Sequence, residues 1–136
     1  MSEQLIFPQK VKSTKDRILY VLLSVGPSTV PYLGVELEEM PENGIYPTLA
    51  EMLNNKQINI DFLDHSPEKE ELECLLESIN NSKEGYMNFF DSANAKELSI
   101  YYSVYLTDKG EEEITSKIKP ESSFSRIKRV YEKIKG

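Results

Sequence analysis

The spacing of apolar residues predicts three short helices in the first half of the chain. The first begins at Ser13 or Thr14, either of which can cap a helix, and its helical repeat of apolar residues stops at Gly26-Pro27. The second begins at Ser28-Thr29, and a turn over residues 41–44 separates it from the third. The third begins near Tyr46-Pro47, since proline is tolerated in the first helical turn.

Two later segments have the pattern of strands. Residues 58–62 alternate apolar and polar side chains, and residues 98–106 are rich in β-branched and aromatic residues. Three helices followed by two antiparallel strands is the order of a winged helix-turn-helix, whose third helix enters a major groove about 12 Å wide. We therefore expect an α+β, mainly α fold of this type, with a helical insert in the wing and a C-terminal dimerisation helix.

The insert between the two strands spans residues 64–97 and is acidic. Its apolar spacing predicts a helix over about 67–81, in which Cys74 is a small core residue, and residues 85–94 are expected to be loop or partly ordered. We expect the insert to lie outside the core. Its apolar face should pack against its own subunit or the dimer mate, or else serve a protein partner or a small ligand.

The C-terminal segment, residues 111–136, is predicted to be helical and to form a homodimer. Its apolar residues fall on one stripe and its basic residues on the other faces. The predicted dimerisation residues are Phe124, Ile127, Val130, Tyr131 and Ile134.

Composition narrows the class of protein. The 136 residues suit one domain, and the longest apolar run is far short of the roughly 20 residues of a membrane-spanning helix. One Cys and one His are too few for a zinc site or for a nucleophile with its base, and the scattered glycines form no phosphate-binding loop. We expect a cytoplasmic protein without secretion signal, cofactor, metal or enzymatic activity.

The net charge of −7 argues against nucleic-acid binding, but the charge is unevenly distributed. Residues 10–17 and 117–135 are locally basic, while the acidic residues concentrate between 36 and 84. Local fields steer a ligand to a face more than the total charge does. The glutamates Glu36, Glu38 and Glu39 are expected to form a solvated face.

Parts of the chain resemble the PadR-like transcriptional regulators. In residues 44–49 a small residue, a hydrophobic residue, Tyr and Pro precede a Leu, as in the third helix of that family, and residues 32–39 fit the helix before it. Residues 101–110, with the motif Leu-Thr-x-x-Gly, resemble the end of that family's wing. The resemblance covers residues 13–63 and 98–136, and it implies a winged helix-turn-helix with a dimer made by a C-terminal helix.

The chain departs from the family pattern in two places. The insert 64–97 interrupts the wing, and Lys56-Gln57-Ile58 stands where Gly-Leu-Ile is expected. We accordingly treat the chain as a single domain, with a core of residues 13–63 and 98–110.

The candidate DNA contacts are side chains near the start of the third helix and basic residues around it. Thr48 and Tyr46 are placed where hydroxyl groups meet phosphates or bases. Tyr46 is equally a candidate for a cap on the core, and Thr48 is a candidate for a plain helix-start role. The lysines are candidates for phosphate contact or for ordinary solvated surface. The full set is Lys12, Lys15, Ser28, Thr29, Asn43, Tyr46, Thr48 and Lys56.

The sequence therefore predicts a regulator that binds double-stranded DNA as a homodimer. The alternatives are a protein–protein interaction module on a winged-helix scaffold, which the acidic balance favours, or a plasmid or viral accessory DNA-binding protein of the partition type.

Overall fold

The helices and strands follow the predicted order over the first half of the chain and depart from it in the insert. The computed structural model describes residues 6–118, and in this range the fold is α+β and mainly helical. The elements are, in chain order, α1 (Thr14–Val25), α2 (Val30–Leu37), a π-helical turn (Pro41–Ile45), α3 (Tyr46–Asn54), β1 (Ile58–Phe62), α4 (Lys69–Glu77), α5 (Lys83–Asp91), α6 (Ala93–Glu97), a 3-10 turn (Ser99–Tyr101), β2 (Tyr102–Leu106) and α7 (Asp108–Ile118).

The helix starts are built from side-chain caps that the sequence predicts. The Ser13 hydroxyl oxygen accepts a hydrogen bond from the Asp16 N–H at 3.1 Å and so caps α1. The Thr29 hydroxyl oxygen accepts from the Tyr32 N–H at 3.3 Å and caps α2. Gly26 ends α1 with a φ of 90°, a left-handed conformation that costs glycine little.

The sheet is small and antiparallel. β1 pairs with β2 so that Ile58 lies opposite Leu106 and Phe62 opposite Tyr102. Ser28, just before α2, forms an isolated bridge to Val104 on the other side of β2. This arrangement of helices and strands is compatible with a winged helix.

The second strand is shorter than predicted because a 3-10 turn occupies its first residues. α6 runs to Glu97, and the Tyr101 N–H donates to the Leu98 carbonyl at 2.9 Å in the 3-10 turn that follows. Extended pairing therefore begins only at Tyr102.

The insert is more ordered than the sequence indicates. α4 is shorter than the predicted helix 67–81, and residues 85–94, expected to be loop or partly ordered, lie in the two helices α5 and α6. The Ser82 hydroxyl caps α5 by accepting from the Gly85 N–H at 3.0 Å. Cys74 is exposed, which corrects its expected place in the core.

The insert also supplies part of the hydrophobic core. Phe89 and Phe90 are buried in the same cluster as Ile18 of α1 and Leu49 of α3. The expectation that the insert lies outside the core therefore does not hold for α5.

α7 closes the core on the other side by packing against α1 and β2. Its Ile114 is fully buried, and Gly110 lies so close to β1 that an added Cβ would be 2.1 Å from the Gln57 carbonyl oxygen. The glycine of the Leu-Thr-x-x-Gly motif is thus required by a close backbone approach.

The predicted dimerisation residues all lie outside the described range. They are Phe124, Ile127, Val130, Tyr131 and Ile134. Within residues 6–118, every helix is too short or too polar to cross a membrane.

Candidate nucleic-acid interface

α3 is the helix that the sequence predicts to read DNA, and most of its surface is buried. Of its nine residues, Glu51 alone is exposed, while Pro47, Thr48 and Asn54 are half-buried. Its apolar face, which includes Leu49 and Met52, packs into the core. The surface that α3 offers to a ligand is therefore a narrow edge around Thr48 and Glu51, which are neighbours at i and i+3.

α5 of the insert packs against α3 and covers one of its sides. The Tyr46 ring lies 5.2 Å from the Phe90 ring, centroid to centroid, and Tyr46 is only 5% exposed. Tyr46 thus caps the core, and its predicted contact with DNA is corrected. The reason is the aromatic pair Phe89-Phe90, which lies in a segment that the sequence analysis left without structure.

Three other predicted DNA contacts have hydroxyl groups that are already hydrogen-bonded within the chain, namely Ser28, Thr29 and Thr48. Ser28 is 5% exposed and donates to the Gly26 carbonyl at 2.9 Å, so its predicted surface contact is also corrected. Thr29 acts as the cap of α2. Thr48 donates to the Gly44 carbonyl at 2.7 Å, which is the helix-start role that the sequence left as the alternative.

The remaining predicted contacts lie at the surface. Lys12, Asn43 and Lys56 are exposed. Lys56 has a φ of 62°, and its carbonyl accepts a hydrogen bond from the Thr107 hydroxyl at 2.6 Å. Its backbone thus joins the end of α3 to the end of β2.

The exposed carboxylate of α3 pairs with one lysine, and its charge acts on a second. The Lys83 ammonium of α5 is 3.8 Å from Glu51. The charge of Glu51 also acts on Lys15 of α1, whose pKa is raised, chiefly by its hydrogen bond with Glu113. We call this group, Lys15, Thr48, Glu51 and Lys83, the α3 edge. Sequence reasoning missed Lys83, and the Ser82 helix cap beside it was the available signal.

Ion pairs join the start of α1 to α7. The Lys15 ammonium lies 2.9 Å from the Glu113 carboxylate, and the Lys117 ammonium binds the buried carboxylate of Asp16. Burial acts to raise the pKa of Glu113, but hydrogen bonds from Lys15 and Gln57 outweigh it and hold that pKa below its ordinary value. The chain therefore enters the basic segment 119–136 from a point beside the start of α1.

The acidic residues gather on other parts of the surface. Residues 6–118 carry 10 Lys and Arg against 20 Asp and Glu. Asp64 and four glutamates line a polar groove of about 450 Å³ at the start of α4, where Lys69 pairs with Asp64 at 3.3 Å. Glu36 is buried, which corrects the expectation that it lies on a solvated face.

Within the described range, His, Cys, Asp and Glu form no group of three or more that could hold a metal ion. His65 instead packs its ring edge-on against Tyr101, at 6.2 Å between centroids. Comparison of the chain with models of known families, with curated proteins and with solved structures finds no match.

Proposed function

We propose that this protein binds double-stranded DNA as a homodimer through a winged helix-turn-helix and regulates transcription. The observation that carries the proposal is the α3 edge, where the Lys83 ammonium of α5 lies 3.8 Å from the carboxylate of Glu51, the one exposed residue of α3. Lys12, three residues before Lys15 and just ahead of α1, is exposed and adds a third cation. Cations placed around a helix edge are suited to phosphate oxygens on both sides of a groove.

The α3 edge supports binding to phosphates more than reading of bases. Because Tyr46 is covered by α5, the groove-facing groups are Glu51 and the half-buried Thr48. A carboxylate accepts hydrogen bonds from the amino group of cytosine, so Glu51 is the candidate for base contact. The acidic residues of α4 would be repelled by phosphates and should face away from the duplex.

A salt series on two lysine variants tests this function. A duplex is first selected from a random pool, and its affinity is measured by fluorescence anisotropy between 50 and 200 mM salt, the range over which phosphate contacts weaken most visibly. Lys12→Gln and Lys83→Gln should each reduce the slope of log affinity against log salt by about one. The matched control is Lys69→Gln, since Lys69 lies among carboxylates.

The proposal is contradicted if no duplex is selected, or if all three variants bind with the wild-type slope. Glu51→Gln gives a separate readout, because loss of a base contact should relax sequence preference without changing the slope.

A second candidate function is a protein-interaction module on the same scaffold. Two observations favour it: α5 covers one side of α3, and acidic residues outnumber basic ones two to one in the described range. Failure to retain any duplex at low salt, with the chain folded and dimeric, would support this candidate over DNA binding.

A further inference from the structure

An open apolar groove runs along α2 on the surface of the protein. It has a volume of about 470 Å³ and lies between α2, the π-helical turn and the 3-10 turn before β2. Val35 and Met40 line it although they are 70% and 61% exposed. Tyr46 and Pro31 contribute to its walls. Apolar side chains grouped at such exposure indicate a surface that another chain covers.

The rim of this α2 groove is acidic. Glu38 and Glu39 are among its lining residues, and the described range as a whole has twice as many acidic as basic side chains. An occupant that matches the groove therefore carries apolar side chains on one face and basic side chains beside them.

The chain has one segment with this composition. Residues 119–136 carry six Lys and Arg against two Glu, and their apolar stripe includes Phe124, Ile127 and Val130. The stripe and the basic residues complement the floor and the rim of the α2 groove, respectively.

The geometry of α1 favours a segment that comes from a second copy. Lys117 fixes the end of α7 to Asp16, in the first turn of α1. The groove begins at Val30, which follows the opposite end of α1, and the 12 residues of α1 span about 18 Å. The segment thus starts at the far end of α1 from its own groove, so within one chain its first residues would have to bridge about 18 Å before any of them could dock there.

We infer that residues 119–136 of one copy dock in the α2 groove of a second copy, so that two such contacts close a twofold dimer. A closed dimer of this kind uses the same contact twice, with each chain giving its segment and receiving that of its partner. The inference rests on the dimer of the proposed function and names the surface that forms it.

Disulfide trapping between separate chains tests the contact directly. In a Cys74→Ser background, chains carrying Val35→Cys are mixed with chains carrying Val130→Cys in a glutathione redox buffer. We expect a disulfide between the two kinds of chain, seen on a non-reducing gel and assigned by mass spectrometry. The chain carrying both substitutions should form linked dimers.

Three other results would overturn the inference. Links only between two Val130→Cys chains would show that the segments pair with each other, and a link within a single chain carrying both substitutions would show that the segment folds onto its own groove. Absence of any link would exclude the contact as well.

A charge placed in the groove gives an independent measurement. Val35→Glu should weaken the dimer at least about tenfold in Kd by sedimentation, because the carboxylate is desolvated beside Glu38 and Glu39. Leu75→Glu, at an exposed apolar position on α4, is the matched control and should leave the Kd unchanged. Equal affinities in both variants would contradict the inference. No DNA is present in either experiment, so failure here and failure to bind DNA are separate results.

Discussion

The ring of Tyr46, at the start of α3, lies 5.2 Å from the ring of Phe90 in α5, with an angle of 32° between their planes. Phe90 also contacts Phe89, which in turn lies 6.0 Å from Tyr102 of β2. The insert is thus joined through aromatic contacts to both α3 and the sheet.

Phe90→Ala should lower the free energy of unfolding by about 3–5 kcal/mol, because it removes a fully buried ring and leaves a cavity next to Tyr46. Urea denaturation followed by circular dichroism measures the change. Phe90→Leu keeps most of the volume and should cost clearly less. Equal losses in the two variants would mean that the cavity is not the cause.

Replacement of residues 66–96 by an Asn-Gly turn tests the same feature on a larger scale. The turn is long enough to join two antiparallel strands, but the change removes the buried Leu72, Phe89, Phe90 and Ala95. We expect the shortened chain to lose cooperative unfolding. A sharp thermal transition would contradict the place we give α5 in the core.

Gly110→Ala should destabilise the protein by about 1–3 kcal/mol or more, since the new Cβ would meet the backbone oxygen of Gln57 and α7 would have to shift. The neighbouring exposed position gives the control, because Glu111→Ala should change the stability by no more than about 0.5 kcal/mol. Chemical denaturation compares the two. A Gly110→Ala protein as stable as the wild type would contradict the close approach.

Glu38→Gly should stabilise the protein by about 1 kcal/mol. Glu38 ends α2 with a φ of 55°, a left-handed conformation that costs a residue with a Cβ and that glycine adopts freely. Glu38→Ala keeps the Cβ and should give no comparable gain. If both substitutions raise the urea midpoint equally, then relief of charge repulsion, and not the backbone, explains the effect.

The pair of Lys15 and Glu113 should make stability depend on pH in a specific window. Because the pKa of Glu113 is lowered in the folded protein, its charge stabilises the fold at pH values above the ordinary pKa of a glutamate. This stabilisation is lost as the pH falls through the folded-state pKa. Because the pKa of Lys15 is raised in the folded protein, its charge stabilises the fold at pH values below the ordinary pKa of a lysine. This stabilisation is lost as the pH rises through the folded-state pKa. Both contributions are present between about pH 5 and 10.

Glu113→Gln should therefore lower stability within that window and converge with the wild type in acid. Because both side chains are about one-third exposed, the loss should not exceed about 1 kcal/mol. Glu112→Gln, at the exposed adjacent position, should run parallel to the wild type. A constant difference at every pH would mean that the charge of Glu113 is not responsible.

Sequence reasoning succeeded where structure is determined locally. The caps Ser13 and Thr29 and the alternation of Ile58–Phe62 need no distant partner, and each is confirmed. It failed where a residue acts through tertiary contacts. Nothing near Phe90 in the chain indicates that it meets Tyr46, and nothing near Lys15 indicates a pair with Glu113. The packing of α5 against α3 could therefore not be predicted from the sequence.

The burial of Phe90 and Ile114 has a consequence for the order of events during synthesis. Both side chains complete the core around α1 and α3, yet they are translated long after residue 54, where α3 ends. At the usual rate of about 5–20 residues per second, the three helices of the first half emerge from the ribosome seconds before their packing partners do. The first three helices therefore emerge before Phe90 and Ile114 can cover their apolar faces, and the core is complete only when almost the whole described range has been made.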